Sequence, residues 1–144
     1  MRTMVRAIIS GAQALFALIL GLIVTGCGVL GDHLQEDKFL SGQLVDLRQR
    51  GGVLRLADIT EPGWDKVYVS HHPVSRDYVE KMVGTDVEME DAFLGTGNVL
   101  VFLEGGTVRE ASYISPDLLP PGTYSSNVRI VAPGFPALLQ ASDG

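Results

Sequence analysis

Apolar and polar residues alternate most regularly in the C-terminal half of the chain, where the pattern predicts a β-hairpin. Residues 98–104 and 107–114 are rich in aliphatic and aromatic side chains, and Gly105-Gly106 separates them. Two glycines between two apolar runs favour a tight two-residue turn. Residues 99–103 are apolar without interruption, so we expect this strand to be covered on both faces.

The spacing of leucines predicts a helix over residues 35–50. Leu40, Leu44 and Leu47 recur at i, i+4 and i+7 and would form one buried stripe. A pair of glycines follows at positions 51 and 52, and glycine commonly ends helices.

A second, shorter helix is predicted between Ser75 and Gly84. The Ser75 hydroxyl is a good N-cap acceptor for the first turn, and Gly84 is a stop signal. Val79, Met82 and Val83 supply the expected buried stripe.

Three further segments have the alternation of strands, namely residues 53–59, 64–72 and 124–132. Together with the hairpin they give about five strands. The predicted fold class is therefore α+β, with two helices packed on one small antiparallel sheet. Residues 133–144 lack this pattern, and we expect a loose C-terminal tail there.

A signal helix is expected at the N-terminus. Arg2 and Arg6 precede an apolar run over residues 14–24, which fits the basic and apolar parts of a secretory signal. The residues Val-Thr-Gly-Cys at 24–27 resemble the lipobox of bacterial lipoproteins. This resemblance implies cleavage before Cys27 and a diacylglycerol thioether on its sulfur. A free cysteine at the end of an uncleaved membrane helix is the alternative.

Lipidation of Cys27 would anchor the chain to the extracytoplasmic face of a bacterial membrane, since each buried methylene of an acyl chain gains about 0.8 kcal/mol. The choice between outer membrane and plasma membrane stays open. The expected organisation is a signal peptide (1–26), a lipidated tether (27–34), a single α+β domain (35–132) and the tail (133–144).

Charge and cysteine content narrow the expected partners. The mature chain would carry nine basic and 17 acidic residues, a net charge of −8, which argues against binding to nucleic acid because like charges repel. Cys27 is the only cysteine, so its lipidation leaves no thiol for a disulfide, a metal cluster or a nucleophile. We expect no cofactor, and expect the membrane and an unknown envelope protein as partners.

A short motif in the middle of the chain carries a second resemblance. Residues 64–67 (Trp-Asp-Lys-Val) begin a strand that leads to Pro73, and residues 100–102 (Leu-Val-Phe) precede the glycine turn and Val108. These parts resemble a group of small uncharacterised bacterial lipoproteins and secreted proteins with a Trp-Asp-x-Val strand. The resemblance implies a fold and no activity.

His71 and His72 are the candidate metal ligands, since imidazole both carries protons and binds metals. Adjacent residues of a strand point to opposite faces, so a zinc site would need further ligands, such as His33. Polar residues at a strand end are the alternative interpretation. The acidic residues at 86–91 lack the spacing of an EF-hand, and we expect an exposed acidic loop.

Two aromatic residues are candidates for partner binding, because aromatic side chains dominate interface hot spots. Trp64 follows a Pro-Gly turn signal and would either dock a partner or fill the edge of the core, and the core is the favoured interpretation. Tyr124 ends a proline-rich loop, residues 116–124, and loops on a rigid sheet often carry recognition.

Sequence signatures of catalysis are absent. The chain contains no Gly-x-Ser-x-Gly, no His-Glu-x-x-His, no phosphate loop and no dinucleotide fingerprint. The expected function is therefore that of a non-catalytic binding module of the cell envelope. The alternative is a small-ligand or metal-binding envelope protein that uses His71 or His72.

Overall fold

The computed structural model describes residues 33–144, and this part of the chain contains two α-helices and nine strands. The expected signal helix and Cys27 lie outside the described residues. The helices are α1 (Lys38–Arg50) and α2 (Arg76–Val83), and a short 3-10 helix spans Leu56–Ile59. The strands are β1 (Gly52–Arg55), β2 (Lys66–Val69), β3 (Val74–Ser75), β4 (Ala92–Phe93), β5 (Asn98–Glu104), β6 (Thr107–Ile114), β7 (Gly122–Ser125), β8 (Arg129–Ala132) and β9 (Gln140–Ser142).

The predicted hairpin is present as β5 and β6. Glu104 pairs with Thr107 across the turn, and Gly105 and Gly106 both adopt positive φ, at 55° and 83°. This backbone conformation is the one that favours glycine. Every residue of β5 except Glu104 is buried, which confirms that the strand is covered on both faces.

The strands form three separate sheets. The central sheet has the order β6-β5-β2-β7, a second sheet has the order β1-β8-β9, and β3 pairs only with β4. All of these ladders are antiparallel. The α+β class is confirmed, whereas the expectation of one sheet of about five strands is wrong.

Residues 124–132, predicted as one strand, divide between the two larger sheets. Ser126 and Asn127 form a turn that is closed by a hydrogen bond from the Val128 backbone N–H to the Ser125 carbonyl at 3.1 Å. Serine and asparagine favour turns because their side chains bond to the nearby backbone. As a result β7 pairs with β2, while β8 pairs with β1 and β9.

Residues 53–59, also predicted as one strand, begin as β1 and continue as the 3-10 helix. The Leu56 N–H donates to the Val128 carbonyl at 3.2 Å, and the Leu56 carbonyl accepts from the Thr60 hydroxyl at 3.1 Å. The chain therefore turns over the edge of the core at Leu56, which is buried.

The C-terminal residues correct the expectation of a loose tail over 133–144. Leu139 is buried in the core, and β9 extends the second sheet by pairing with β8. Asp143 then bonds to β7: its carboxylate accepts from the Ser125 backbone N–H at 2.8 Å and from the Ser125 hydroxyl. The ordered domain thus includes this segment.

Alternating residues of the central sheet divide the core into two clusters. Val67 and Val69 pack with the leucine stripe of α1 and with the second sheet. Tyr68, on the other face, packs with Val79 of α2 and with the segment between α2 and β4. The three leucines predicted for α1 are all fully buried, which confirms that stripe.

The second helix has its predicted ends, but fewer of its apolar residues are buried than the sequence predicts. Ser75 is the N-cap, and its hydroxyl accepts from a backbone N–H of the first turn at 3.2 Å. Gly84 ends the helix in the left-handed conformation, with φ 81°. Val79 is fully buried, but Met82 is 47% exposed, so the expected stripe holds for only part of the helix.

Candidate functional site

An open groove lies beside the N-terminal end of α1. Its floor is Phe102 of β5, and its walls come from α1, from β6 and from the 3-10 helix with the residues that follow it. The volume of the groove is about 420 Å³. We call it the Phe39 groove, and it is lined chiefly by Asp37, Phe39, Asp58, Glu61, Phe102 and Glu110.

The way in which α1 begins explains why Phe39 faces solvent. Asp37 is the N-cap, and its Oδ1 accepts a hydrogen bond from the Leu40 backbone N–H at 2.9 Å, which stabilises the first turn. Leu40 begins the buried stripe, and consecutive residues of a helix are rotated by about 100°. The Phe39 side chain therefore points away from the core, and it is 63% exposed.

Trp64 lies under the neighbouring part of the same surface. Its side chain is 7% exposed, its Nε1–H donates to Thr60 Oγ1 at 2.9 Å, and its ring packs edge-on against Phe102 with centroids 5.2 Å apart. These contacts favour the core interpretation of Trp64. The residue also lines a smaller cavity of about 310 Å³, which shares Glu61 and Glu110 with the Phe39 groove.

Negative charge dominates the Phe39 groove. Burial raises the pKa of Glu110, and the nearby carboxylates of Asp37 and Glu61 raise it further. Within residues 33–144, none of the four carboxylates in the groove forms an ion pair. Arg109 borders the smaller cavity, but its guanidinium is paired with Glu104. The lining of the groove is therefore negatively charged.

The other candidate for partner binding, Tyr124, packs between the proline-rich loop and the core. Its hydroxyl donates to the Pro120 carbonyl at 2.8 Å, and its ring packs against the core cluster on the α1 face. Leu119 of the loop is buried, and its N–H donates to Asn98 Oδ1 at 3.0 Å. Tyr124 thus holds the loop in place and does not line the Phe39 groove.

The three histidines differ in their surroundings. His72 Nε2 is 3.2 Å from Asp117 Oδ2, His33 Nδ1 is 3.9 Å from Glu90 Oε2, and His71 is exposed. No group of three or more His, Cys, Asp or Glu side chains among residues 33–144 is placed to hold a metal ion. The described residues therefore give His71 and His72 no third ligand of the kind that a zinc site needs.

The acidic segment after α2 is only partly the exposed loop that the sequence indicates. Val87 and Met89 are buried against the central sheet. The acidic residues between and around them, Asp86, Glu88 and Asp91, are exposed. The segment alternates in this way because its apolar side chains cover a face of the sheet that α2 is too short to cover alone.

The hydroxyl groups near the histidines are engaged in structural hydrogen bonds. Ser70 Oγ donates to the His71 carbonyl at 2.8 Å and accepts from the Val99 N–H at 2.9 Å, while Ser75 Oγ caps α2. A nucleophilic hydroxyl needs a base within hydrogen-bond reach. In the part of the chain that the structure describes, neither serine hydroxyl is bonded to a histidine ring.

A third cavity, of about 410 Å³, lies on the opposite face of the central sheet, beside α2. Tyr68, Met82 and Leu103 provide apolar surface there, and Lys66 and Asp65 lie at its edge. Asp65 is an acceptor for the hairpin turn, since its Oδ2 accepts from the Gly105 N–H at 2.8 Å. This cavity contains charges of both signs, in contrast to the Phe39 groove.

Sequence reasoning missed the residues of the Phe39 groove. Asp58 and Glu61 lie in no recognisable motif, and Glu110 is distant from both along the chain. Only the packing of three elements brings these residues to one groove. One signal was available in the sequence: Phe39 directly precedes Leu40 and therefore lies off the leucine stripe. A large aromatic residue in that position is expected at the surface.

Comparisons with known proteins yield no match: no family model, no curated protein and no solved structure is similar to this chain. Among residues 33–144, neither helix has the length and apolar character needed to cross a bilayer.

Proposed function

We propose that this protein is a lipid-anchored, non-catalytic binding domain of the bacterial cell envelope. Cys27 would carry the lipid and hold the domain at the extracytoplasmic face of a membrane, and the resemblance of residues 24–27 to a lipobox supports this. The domain would then bind an envelope protein. The serine hydroxyls that are engaged in structural hydrogen bonds support binding over catalysis.

The Phe39 groove is the observation that carries the proposal. An aromatic ring that is 63% exposed beside a concave surface is typical of a residue that gains free energy when a partner covers it. In the free protein the exposed apolar surface of Phe39 raises the free energy by about 25 cal/mol for each Å² in contact with water. The groove therefore replaces Trp64 as the surface that we assign to the partner.

The tether restricts where that partner is found. Six residue steps separate Cys27 from His33, and an extended chain spans at most about 3.6 Å per residue, roughly 20 Å in all. A domain on such a tether stays close to the lipid headgroups. The partner is thus expected in the same membrane or immediately above it.

The alternative of a small-ligand protein has one observation in its favour. The cavity beside α2, of about 410 Å³, has a volume typical of small-molecule pockets. Its apolar residues and its two opposite charges would suit a neutral or zwitterionic molecule. A ligand bound there would protect α2 from hydrogen exchange, whereas a partner in the Phe39 groove would protect the start of α1.

Site-specific crosslinking in the native host tests the proposed function. A photoreactive phenylalanine analogue replaces Phe39 in the full chain, and Leu94, which is 79% exposed and lies outside the groove, is the control position. We expect one discrete crosslinked protein from position 39, none from position 94, and loss of the product in the Cys27→Ala variant. Equal products from both positions would contradict a specific partner in the groove.

Metabolic labelling with an alkyne fatty acid tests the anchor separately. We expect the label in the wild-type chain and its complete loss in the Cys27→Ala variant, with a Ser41→Ala variant as a labelled control. A labelled Cys27→Ala chain would overturn the assignment of the lipid to Cys27.

A further inference from the structure

The charges around the Phe39 groove select the chemistry of its occupant. Asp37, Asp58, Glu61 and Glu110 surround one small volume, and no ion pair within residues 33–144 compensates them. Some acidic groups elsewhere in the domain have cationic neighbours: Arg50 pairs with Asp46, and Arg76 pairs with both Glu80 and Asp91. The groove brings four carboxylates and an exposed aromatic ring to one concave surface, and a cationic group would complement them.

The cation most suited to this groove is flat. The Phe39 ring is exposed on one wall, and the apolar surfaces of Ile59 and Phe102 lie beside it. A guanidinium group stacks on an aromatic face and at the same time donates to carboxylates through its edge. An ammonium group is a compact, strongly hydrated charge and makes less use of the ring. The combination of ring and carboxylates therefore favours arginine over lysine.

Other classes of occupant fit less well. Phosphate groups of a nucleic acid or an anionic lipid would be repelled by four carboxylates. Calcium needs six to eight converging oxygen ligands, and no metal-binding group of three or more acidic or histidine side chains occurs in residues 33–144. A free polyamine would satisfy the charges but would leave the Phe39 ring largely uncovered.

The carboxylates near Glu110 strengthen such a contact. Glu110 is an exposed residue of β6, and its pKa is raised by desolvation and by the carboxylates of Asp37 and Glu61. A cation placed between these carboxylates would relieve their mutual repulsion.

We propose that the Phe39 groove binds an arginine side chain on an extended segment of the partner protein, with the ring of Phe39 against the guanidinium and Glu61 and Glu110 as its acceptors. This inference rests on the proposed function and specifies the partner that the groove takes. It goes further in one respect: it predicts which single residue type of the partner is essential.

A titration of the full chain in nanodiscs of neutral phosphatidylcholine tests the inference. The probe is the capped peptide acetyl-Gly-Arg-Gly-Leu-Arg-Gly-amide, with matched peptides that carry lysine or uncharged citrulline in place of arginine. Trp64 is the only tryptophan and lines the cavity that shares Glu61 and Glu110 with the groove, so its fluorescence reports binding. Spermidine is titrated in parallel.

We expect saturable, salt-sensitive binding of the arginine peptide and binding of the citrulline peptide weaker by about tenfold or more. The lysine peptide and the Phe39→Ala variant should each show binding weaker by about threefold, because the stacking contact is lost. The double variant Glu61→Gln/Glu110→Gln should weaken binding about tenfold or more. Asp86→Asn/Glu88→Gln makes the same change of charge at exposed residues outside the groove and should leave affinity within about twofold.

Three results would overturn the inference. Equal weakening by the two double variants would mean attraction to net charge alone. Equal affinity for arginine and lysine peptides, or tighter binding of spermidine, would remove the role of the guanidinium. Absence of any peptide binding, together with a specific crosslink from position 39, would reject arginine and leave the proposed function intact. Absence of the crosslink rejects the proposed function itself, whatever the peptide does.

Discussion

The two faces of the central sheet are covered in different ways. On one face lie the 13 residues of α1 and the second sheet, and the leucines of α1 are fully buried there. On the other face lie the 8 residues of α2 and the segment that follows it. The α2 layer leaves Met82 47% exposed. A thick layer and a thin layer thus share one sheet.

The difference shows where the stability of the domain and its binding surface are located. The thick layer contains the larger core cluster, and it is the end of α1 in this layer that leaves the Phe39 groove open. A groove beside a well-packed helix is held in one shape, and a rigid surface loses less conformational entropy when a partner binds. The thin layer has fewer fully buried side chains, and local opening is expected there first.

The largest expected effect is on the thick layer, from Leu44→Ala. Leu44 is fully buried among other core side chains, so its truncation removes buried area and leaves a cavity. We expect the free energy of unfolding to fall by about 2–5 kcal/mol, measured by urea unfolding with Trp64 fluorescence. Val45→Ala, on the solvent side of the same helix, is the matched control and should stay within about 0.5 kcal/mol.

A smaller effect is expected on the thin layer, from Val79→Ala. The change removes two methyl groups from the one fully buried residue of α2, and at about 0.8 kcal/mol for each, with a cavity contribution, the loss is about 2 kcal/mol. Met82→Ala on the same helix should cost much less, since that side chain is half exposed. A greater loss from Val79→Ala than from Leu44→Ala would contradict the ranking of the two faces.

Local patterns predict the elements of this fold well and their partners poorly. The leucine stripe of α1, the cap at Ser75 and the glycine turn at 105–106 are all confirmed. Each depends on neighbouring residues, so the sequence displays it directly. The division of residues 124–132 depends on a Ser-Ser-Asn turn inside an otherwise strand-like stretch. The docking of β9 depends on β8, which no nearby residue indicates.

The candidate site was harder to predict than the fold, for a related reason. For Trp64 the sequence leaves both a docking position and a core position open, with the core favoured, and the hydrogen bond to Thr60 and the contact with Phe102 agree with the core position. Glu110 has the context of an ordinary polar residue on an edge strand. Its neighbours Asp37 and Glu61 come from distant parts of the chain, so its raised pKa is a property of the tertiary structure alone.

A carboxylate with a perturbed pKa lies at each edge of the central sheet. At the β7 edge, the hydrogen bonds from Ser125 lower the pKa of Asp143. At the β6 edge, burial and two negative neighbours raise the pKa of Glu110. The two carboxylates should therefore influence stability with opposite signs as the pH changes.

Asp143→Asn is expected to lower the melting temperature at neutral pH. A lowered pKa means that the ionised carboxylate stabilises the folded state above the unfolded-state pKa, and that this contribution is lost as the pH falls through the folded value. Thermal unfolding across pH 3–7, an interval of about four units chosen around the usual carboxyl pKa, should show the deficit shrink towards acid. Asp86→Asn, an exposed carboxylate after α2, serves as the control, and a deficit that persists at the lowest pH would argue against the hydrogen bonds to Ser125 as its cause.

Glu110→Gln is expected to have the smallest effect, with the opposite sign. Because the pKa of Glu110 is raised, protonation favours the folded state, and the stability present at low pH is lost as the pH rises through the folded value. The glutamine variant should therefore melt slightly above the wild type at neutral pH and equal to it in acid. A saturating arginine peptide should reverse this order, since a ligand stabilises the form that binds it better, by about 2.7 kcal/mol at 100 times its Kd. If the wild type still melts at a lower temperature than the variant with the peptide present, bound arginine does not offset the destabilising negative charge of Glu110.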